Sequence, residues 1–315
     1  MRTRRSQSSS DPTLSGNVDR HIPVLLHETL ESLAIASDDC VVDATLGGAG
    51  HARAIAEKLG ADGVLIGFDL DPDAIERARD ALSGARPQVH LVNADFRTIS
   101  HELSRLGIEM ISKAVFDLGW SSYQLDAGRG FSFLRDEPLA MTYAPTGLRP
   151  LTAAIIVNEW AEESIADVIY GWGEERYARR IARSIVDARQ RRLIKTSGEL
   201  AEIVRLAVPG SARHGRIHPA TKTFQALRIA VNDELGALSE GLRRAWNLMV
   251  PDGRIAVISF HSIEDRVVKR QYAEWEDSGV GMRITKKPIV ASAGELAQNP
   301  RARSAKLRII QKIST

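Results

Sequence analysis

Cys40-Val41-Val42-Asp43-Ala44-Thr45-Leu46-Gly47-Gly48-Ala49-Gly50-His51 is the stretch on which the fold turns. Its apolar opening, 40–44, reads as a strand that ends at an acidic residue, Asp43. Gly47, Gly48 and Gly50 then make a tight turn, and His51 opens a helix-forming run that reaches 59 and stops at Gly60. A strand, a glycine-rich turn and a helix form the common plan of nucleotide-type sites. The glycines let the backbone approach a ligand, and the helix start offers unpaired N–H groups to an anion. Asp69 lies 19 residues beyond Gly50, at the end of the next strand-like run. A carboxylate there can accept hydrogen bonds from ribose hydroxyls.

The glycine spacing is not G-x-G-x-x-G, so the dinucleotide fingerprint fails, and no Gly-Lys-Ser/Thr follows to make a phosphate loop. The turn holds no Lys or Arg, which disfavours a pyrophosphate and suits a ligand with a positive centre. S-adenosylmethionine answers this description. It has a sulfonium cation, a carboxylate for the helix start and a ribose for Asp69. Asp43, Gly47, Gly48, Gly50, His51 and Asp69 are therefore the first candidates for a cofactor site.

Outward from this turn the first half of the chain alternates apolar strand runs (40–44, 64–69, 89–93, 113–118) with helical stretches (51–59, 73–82, 98–106). That is the rhythm of a parallel sheet in an α/β domain. Asp71-Pro72 marks the start of the second helix. Beyond 121 the rhythm stops. A Gly- and Pro-rich loop leads into amphipathic helices at 161–170, 174–189 and 197–207. In the second of these, Ala178, Ile181, Ala182, Ile185 and Val186 recur at helical spacing opposite a row of arginines. Strand character returns at 254–260, after a helix over 234–248 and a turn at Pro251-Asp252-Gly253. An antiparallel pair, 283–288 with 306–313, closes the chain. The expectation is a Rossmann-like, mostly parallel α/β sheet over 21–120 and 225–315, with a small helical domain inserted at 121–224. A polar, disordered tail over 1–20 precedes it and has no apolar core of a signal peptide or anchor.

Chemistry gathers where strands end. Asn93-Ala94-Asp95-Phe96 places a ring that can lie against adenine, and Asp117-Leu118-Gly119-Trp120 follows the fourth strand. The amine of cytosine or adenine is a poor nucleophile, because its lone pair is delocalised into the ring. A hydrogen-bond acceptor for its N–H and an aromatic plate on the base hold that lone pair toward a methyl donor. Asp117 and Trp120 are candidates for these two roles. The plain alternative is a strand-end Asp capping a turn, with a Trp packed in the core. His261 follows the fifth strand and is a further catalytic candidate, and Ser262 with Asp265 fits a capping box. Gln225, Arg228 and Asn232 share one face of a helix starting near Thr221, as a polar surface stripe or as a seam between domains.

Composition narrows the setting. The single cysteine, Cys40, excludes an intramolecular disulfide and suits a reducing cytoplasm. In a strand-like run it reads as a small buried hydrophobe and not as a nucleophile. No run approaches the ~20 apolar residues of a membrane span, and no ligand-spaced His, Cys or carboxylate cluster suggests a metal. The net charge of +2 is unevenly spread: 171–225 holds 12 Lys/Arg against 5 Asp/Glu, and 279–315 holds 8 against 1. An anionic partner such as nucleic acid or a solvated helix face explains such an imbalance equally well.

These residues resemble the RsmH/MraW ribosomal RNA methyltransferases from about 19 to 313. The matching stretches include His21-Ile22-Pro23-Val24-Leu25-Leu26, 43–51, Asp69-Leu70-Asp71-Pro72, Asp117-Leu118-Gly119 and Gln124-Leu125-Asp126. Further matches are Arg129-Gly130-Phe131-Ser132-Phe133, Gly173-Glu174-Glu175-Arg176, His218-Pro219-Ala220-Thr221, 223–229, 259–266 and 299–308. The resemblance implies a class I methyltransferase fold and methylation of the exocyclic N4 amine of a decoding-region cytidine in 16S rRNA, within the small ribosomal subunit. It further implies that Ala49, Gly50 and His51 meet the methionine end of S-adenosylmethionine, Asp69 its ribose and Phe96 its adenine. Asp117 and Gln124 complete that cofactor site. The chain departs from the family at Trp120, usually Val. It also has Ala140-Met141-Thr142-Tyr143-Ala144 where Asp-Met-Arg-Met-Asp is usual, so three charges are lost. Two other readings stay open: a nicotinamide-dependent oxidoreductase, against which the missing fingerprint counts, and a ribosome-assembly RNA-binding protein that keeps the cofactor site without catalysis. A homodimer is also open.

Overall fold

The computed structural model describes residues 22–119, 122–144, 151–213, 215 and 217–314. The expected polar tail and Trp120 lie outside them.

Period-2 burial organises the first and last thirds of the chain. Val41, Leu65, Val115, Ala256, Ile258 and Leu307 enter one apolar cluster. Their neighbours Val42, Ile66, Phe116, Val257 and Ile310 enter another on the opposite face. A strand whose successive side chains are both apolar needs cover on both faces, as a parallel sheet between helix layers provides. The strands are β1 (Cys40–Asp43), β2 (Val64–Asp69), β3 (Gln88–Asn93), β4 (Ile111–Asp117), β5 (Met249–Ser259), β6 (Gly281–Arg283) and β7 (Lys306–Lys312). They form one sheet in the order β3-β2-β1-β4-β5-β7-β6. The first five run parallel, and β7 lies antiparallel to both β5 and β6.

Helices α1 (Leu26–Leu33), α2 (Gly50–Lys58), α3 (Pro72–Ala81) and α4 (Ile99–Arg105) accompany the first four strands, with a 3-10 turn at Phe96–Thr98. The short α5 (Ser122–Asp126) leads into α6 (Ala153–Glu159), α7 (Glu162–Gly173), α8 (Ala178–Arg191), α9 (Ser197–Ala207), α10 (Gly210–Arg213) and α11 (Thr221–Asn232). Then come α12 (Glu234–Leu248), α13 (Ser262–Asp277) and α14 (Ala293–Gln298). Helix α8 buries Ala178, Ile181, Ala182 and Ile185, the face its periodicity marks.

A separate apolar cluster joins Phe131, Ile156, Ile169, Ile181, Leu200 and Val204. Phe224, Leu227, Ala230 and Val231 of α11 belong to it as well. Helix α11 thus runs through 225, where the sequence reading returns to the sheet, and its apolar face serves the helical part. Glu174 ties that part to α13: its carboxylate accepts from Ser262 Oγ at 2.8 Å and pairs with Arg266.

The structure corrects several expectations. Pro251-Asp252-Gly253 does not precede β5 but lies within it, at an irregularity where register shifts between Ile111 and Lys113 and Asp252 adopts φ 62°. The last hairpin is shorter and earlier than 283–288, because β6 ends at Arg283. Helix α7 begins at Glu162 and extends to Gly173, and α8 begins only at Ala178, after Glu174 turns left-handed at φ 50°. The capping box of α13 is set one residue earlier than expected. His261 Nδ1 accepts from Glu264 N–H at 3.3 Å, and Glu264 answers through Oε2 to His261 N–H. Among the described residues no helix is long and apolar enough to cross a membrane.

Phe116 is fully buried on β4 and meets Phe96 edge-to-face at 5.5 Å. Phe116→Ala leaves a cavity beneath the carboxyl ends of the strands and is expected to cost about 3–5 kcal/mol, read as a lower midpoint in urea unfolding.

Candidate functional site

The strand order reverses between β1 and β4: the chain passes from β1 to β2 and β3 on one side and resumes with β4 on the other. A crevice opens beyond the carboxyl ends at such a point. Here it is a cavity of 630 Å³. Thr45 closes its floor, donating its N–H to Asp43 Oδ1 at 3.0 Å and accepting Asp117 N–H on its hydroxyl at 2.7 Å.

At one end of the cavity the glycine-rich turn is held open. Gly47 takes φ 50°, and its N–H donates to Asp69 Oδ2 at 2.8 Å, while Asp69 Oδ1 accepts from Asp71 N–H at 2.9 Å. A side chain at Gly50 would run into the ring of Pro23, so the close approach there requires glycine. Ala49 caps α2 with φ 58° and no side-chain bond, which leaves the first amides of that helix for a ligand. Phe96 lies over Gly241 of α12, where any Cβ would strike its ring.

Charge at this end is mostly negative. Asp43 is buried with Oδ2 unpartnered, and burial pushes its carboxyl up to about 6 against the lowering effect of His51. Burial likewise raises Asp69, although the Asp71 and Gly47 amides oppose it. Burial opposes a charge on His51, but its contact with Asp117, Nδ1 to Oδ2 at 3.4 Å, and the nearby Asp43 outweigh that and raise its pKa. Asp117 Oδ1 is buried and unpartnered.

The opposite end is polar, with one guanidinium set between two carboxylates. Arg228, on α11, forks onto Glu234 with Nε–Oε1 2.7 Å and Nη2–Oε2 2.8 Å, and stands 3.9 Å from Glu264 Oε1. Tyr143 OH donates to Glu234 Oε1 at 2.9 Å, and His261 Nε2 lies 3.1 Å from Glu264 Oε1. Burial alone would raise Glu264, yet His261, Arg228 and the Phe260 amide bring it below its ordinary value. Burial also opposes the Arg228 charge, and Glu234, Tyr143 and Glu264 more than restore it. Asn232 braces the loop, accepting Tyr143 N–H at 2.9 Å and donating to Met141 O at 2.7 Å.

Gly47, Gly48, Gly50, His51, Asp69, Phe96, Asp117, Gln124 and His261 all line this one cavity. Asp43 and Ala49 sit behind its wall, and Trp120 lies outside the described residues. Gln225, Arg228 and Asn232 are not a surface stripe: the last two are 4% and 2% exposed, and all three border the cavity. That Tyr143, Glu234 and Glu264 meet here is not legible in the sequence, because partners drawn from three segments carry no common spacing. Contrary to the expectation of no ligand-spaced cluster, Glu234, His261 and Glu264 bring ligand atoms within 4.8 Å of one another. Arg228 already supplies the positive charge these carboxylates need, and it occupies the space between them. Burial and then Asp39 push the Cys40 thiol up to about 11, which favours its protonated form.

The donors at the negative end fit S-adenosylmethionine. The uncapped amides would suit its carboxylate, the buried and half-buried carboxylates its cationic groups, and the strand-end Asp69 its ribose hydroxyls. A family model described as the MraW methylase family matches residues 18–313. A protein named ribosomal RNA small subunit methyltransferase H from Symbiobacterium thermophilum is 47% identical over 309 residues, covering 93% of this chain and 96% of its own. The protein of the same name from Deinococcus radiodurans is 48% identical over 302 residues, covering 96% and 91%. That from Brevibacillus brevis is 44% identical over 309 residues, covering 93% and 98%. The chain belongs to the MraW methylase family: it is a methyltransferase, and its methyl donor is S-adenosylmethionine.

Proposed function

We propose that this chain methylates the exocyclic N4 amine of a decoding-region cytidine in 16S rRNA, within the small ribosomal subunit in the cytoplasm. The observation that carries this reading is Asp117. It places one buried, unpartnered carboxylate oxygen at the junction between the cofactor cradle and the polar end of the cavity. The close relatives carry a name that states ribosomal RNA of the small subunit as their substrate.

When bound, S-adenosylmethionine supplies an electrophilic methyl group on a sulfonium. The first amides of α2, at Gly50 and His51 behind the Ala49 cap, receive its carboxylate. Gly47 and Gly48 let the backbone come close, Asp69 accepts from its ribose, Phe96 covers its adenine and Gln124 completes the enclosure. Asp43 and Asp117 supply negative potential for its cationic groups. Asp117 Oδ1 also accepts an N–H of the target amine, which holds the nitrogen lone pair toward the methyl group; positioning of this kind supplies much of the rate. His261 borders the base, with Nδ1 engaged by the Glu264 amide. The helical part, 121–224 together with the rest of α11, serves as the RNA-recognition domain.

Three outcomes test this reading. Small subunits lacking the modification, incubated with labelled S-adenosylmethionine, are expected to take up label that nucleoside mass spectrometry finds as N4-methylcytidine. Cofactor binding without any transfer would overturn the proposal. Asp69→Ala is expected to weaken cofactor binding by about ten- to a hundredfold, in line with loss of a charge-assisted hydrogen bond. Calorimetry against RNA titration checks this, and an equal loss of RNA affinity would exclude the ribose role. The third outcome is a pH dependence set by Asp43. Because its folded value is raised from 3.8 to about 6, its contribution to stability is present below the unfolded value and lost as pH rises through about 6. A cation in the cavity favours the ionised form, so cofactor affinity runs the other way. It is expected to be about tenfold weaker near pH 5 than above pH 7. Asp43→Asn is expected to weaken binding at neutral pH and to flatten this step in calorimetric titrations.

A further inference from the structure

The His218-Pro219-Ala220-Thr221 segment leads into α11, yet nothing in the methyl-transfer scheme uses its histidine. His218 is exposed, and its ring is nonetheless fixed. One face lies on Phe133, with centroids 4.5 Å apart and planes at 17°, and Phe133 is itself braced edge-on by Phe224 at 5.3 Å. His218 Nδ1 accepts the Ala220 N–H at 3.2 Å, so the neutral ring carries its hydrogen on Nε2. Burial and then the nearby positive charge of Arg205 lower its pKa, which keeps the ring neutral at physiological pH. With one face covered, the exposure of the ring falls on its other face and outer edge.

The position of this plate gives it meaning. Phe133, Thr221 and Phe224 line the catalytic cavity, so His218 stands at its rim on the helical side. Leu134, next in the chain to Phe133, is 85% exposed, and Ile217, next to His218, is 55% exposed. Arg213 adds positive charge, anchored to the carbonyls of Val208 and Leu206, and beside it Arg205 forks onto Glu202 at 2.7 Å, an exposed pair that a phosphate can compete for. A rigid, uncharged aromatic face beside exposed aliphatic groups and arginines matches an unstacked nucleobase and its phosphates. Such a base is at hand, because an enzyme that acts on a ring amine draws its target out of the stack. The neighbouring base then loses a stacking partner.

We propose that His218, seated on Phe133, is the stacking platform for the nucleobase adjacent to the methylated cytidine, with Arg205 and Arg213 meeting the phosphates beside it. This rests on the RNA-cytosine reading above, and the ligand is single-stranded RNA at the mouth of the cavity.

The test uses the full chain and a short single-stranded RNA with one cytidine, carrying 2-aminopurine on its 5′ side in one probe and on its 3′ side in another. Binding is expected to quench fluorescence in one of the two. His218→Ala is expected to abolish that quench and weaken RNA binding by about 5- to 100-fold, the range for loss of one base–aromatic stack. S-adenosylmethionine affinity should stay unchanged. His218→Phe, which keeps the plate without the imidazole, is expected to restore both the quench and most of the affinity. Quench and affinity retained in His218→Ala would overturn the platform. So would a folded, cofactor-binding His218→Phe that behaves like the alanine variant. If the wild-type chain quenches the probe but transfers no methyl to unmodified small subunits, the platform stands and the catalytic reading fails.

Discussion

A guanidinium removed from water must find carboxylates in the right geometry, and Arg228 imposes that requirement on everything around the cavity. It is 4% exposed. Its planar fork fixes Glu234, which sits six residues on, past the left-handed Asp233 that ends α11 and begins α12. Its remaining charge faces Glu264 in the first turn of α13. Three helices are thus held around one cation: α11 brings the apolar face that completes the helical core, and α12 and α13 cover the sheet. Removing the cation would leave the carboxylates of Glu234 and Glu264 facing each other, so the helical part and the sheet part are joined through ion pairing as much as through apolar contact.

The loop that departs from the family pattern is held by the same cluster. Ala140, Thr142 and Ala144 stand where the family usually carries charges, and all three are buried. Tyr143 compensates by entering the network through its hydroxyl on Glu234, while its ring stacks on Phe131 at 5.7 Å. Arg129 fastens the loop from the other side, donating to Thr142 O at 3.2 Å and to Tyr143 O while pairing with Asp71 at 2.7 Å. Asp71 caps α3, just after the β2 end that carries Asp69. The cofactor turn and the altered loop are therefore mechanically one piece. Of the three positions, Thr142 keeps a polar atom, and its buried Oγ1 has no hydrogen-bond partner among the described residues.

How far the sequence alone reaches depends on the range of the interaction. The alternation of 41/42, 115/116 and 257/258, the glycine turn and Asp69 all obey periods or spacings of a few residues, and they foretell the sheet and the cofactor end of the cavity. Helix α8 announces itself by apolar periodicity. What escapes is whatever depends on contacts distant in sequence. The Tyr143–Glu234 bond spans 91 residues and the Ser262–Glu174 bond spans 88. The capping box at His261 was displaced by one residue because Ser is the common cap and His a rare one, while the bond itself needs only an acceptor at that position. The irregularity at Asp252 escaped for a similar reason: Pro-Asp-Gly reads as a turn, and the pairing of β5 with β4 absorbs it as a bulge.

The two ends of the cavity are charged differently, and that difference sorts their ligands. At the cradle, Asp43, Asp69 and Asp117 outnumber the positive groups beside them, His51 and Arg77, so the field there favours a ligand bearing positive charge. At the far end Arg228 is set against Glu234 and Glu264, with His261 beside them, and hydroxyl and amide groups fill the remainder. A surface of paired charges and hydrogen-bonding groups of that kind suits a planar, polar group such as a base, whose donors and acceptors it can match. Asp117 stands where the two regimes meet. Its Oδ2 is turned toward His51 and its Oδ1 is left unpaired. A carboxylate whose two oxygens differ in this way can hold position through one while the other receives an N–H from the incoming amine. In the reaction we propose, one side chain thus borders both the cofactor and the base.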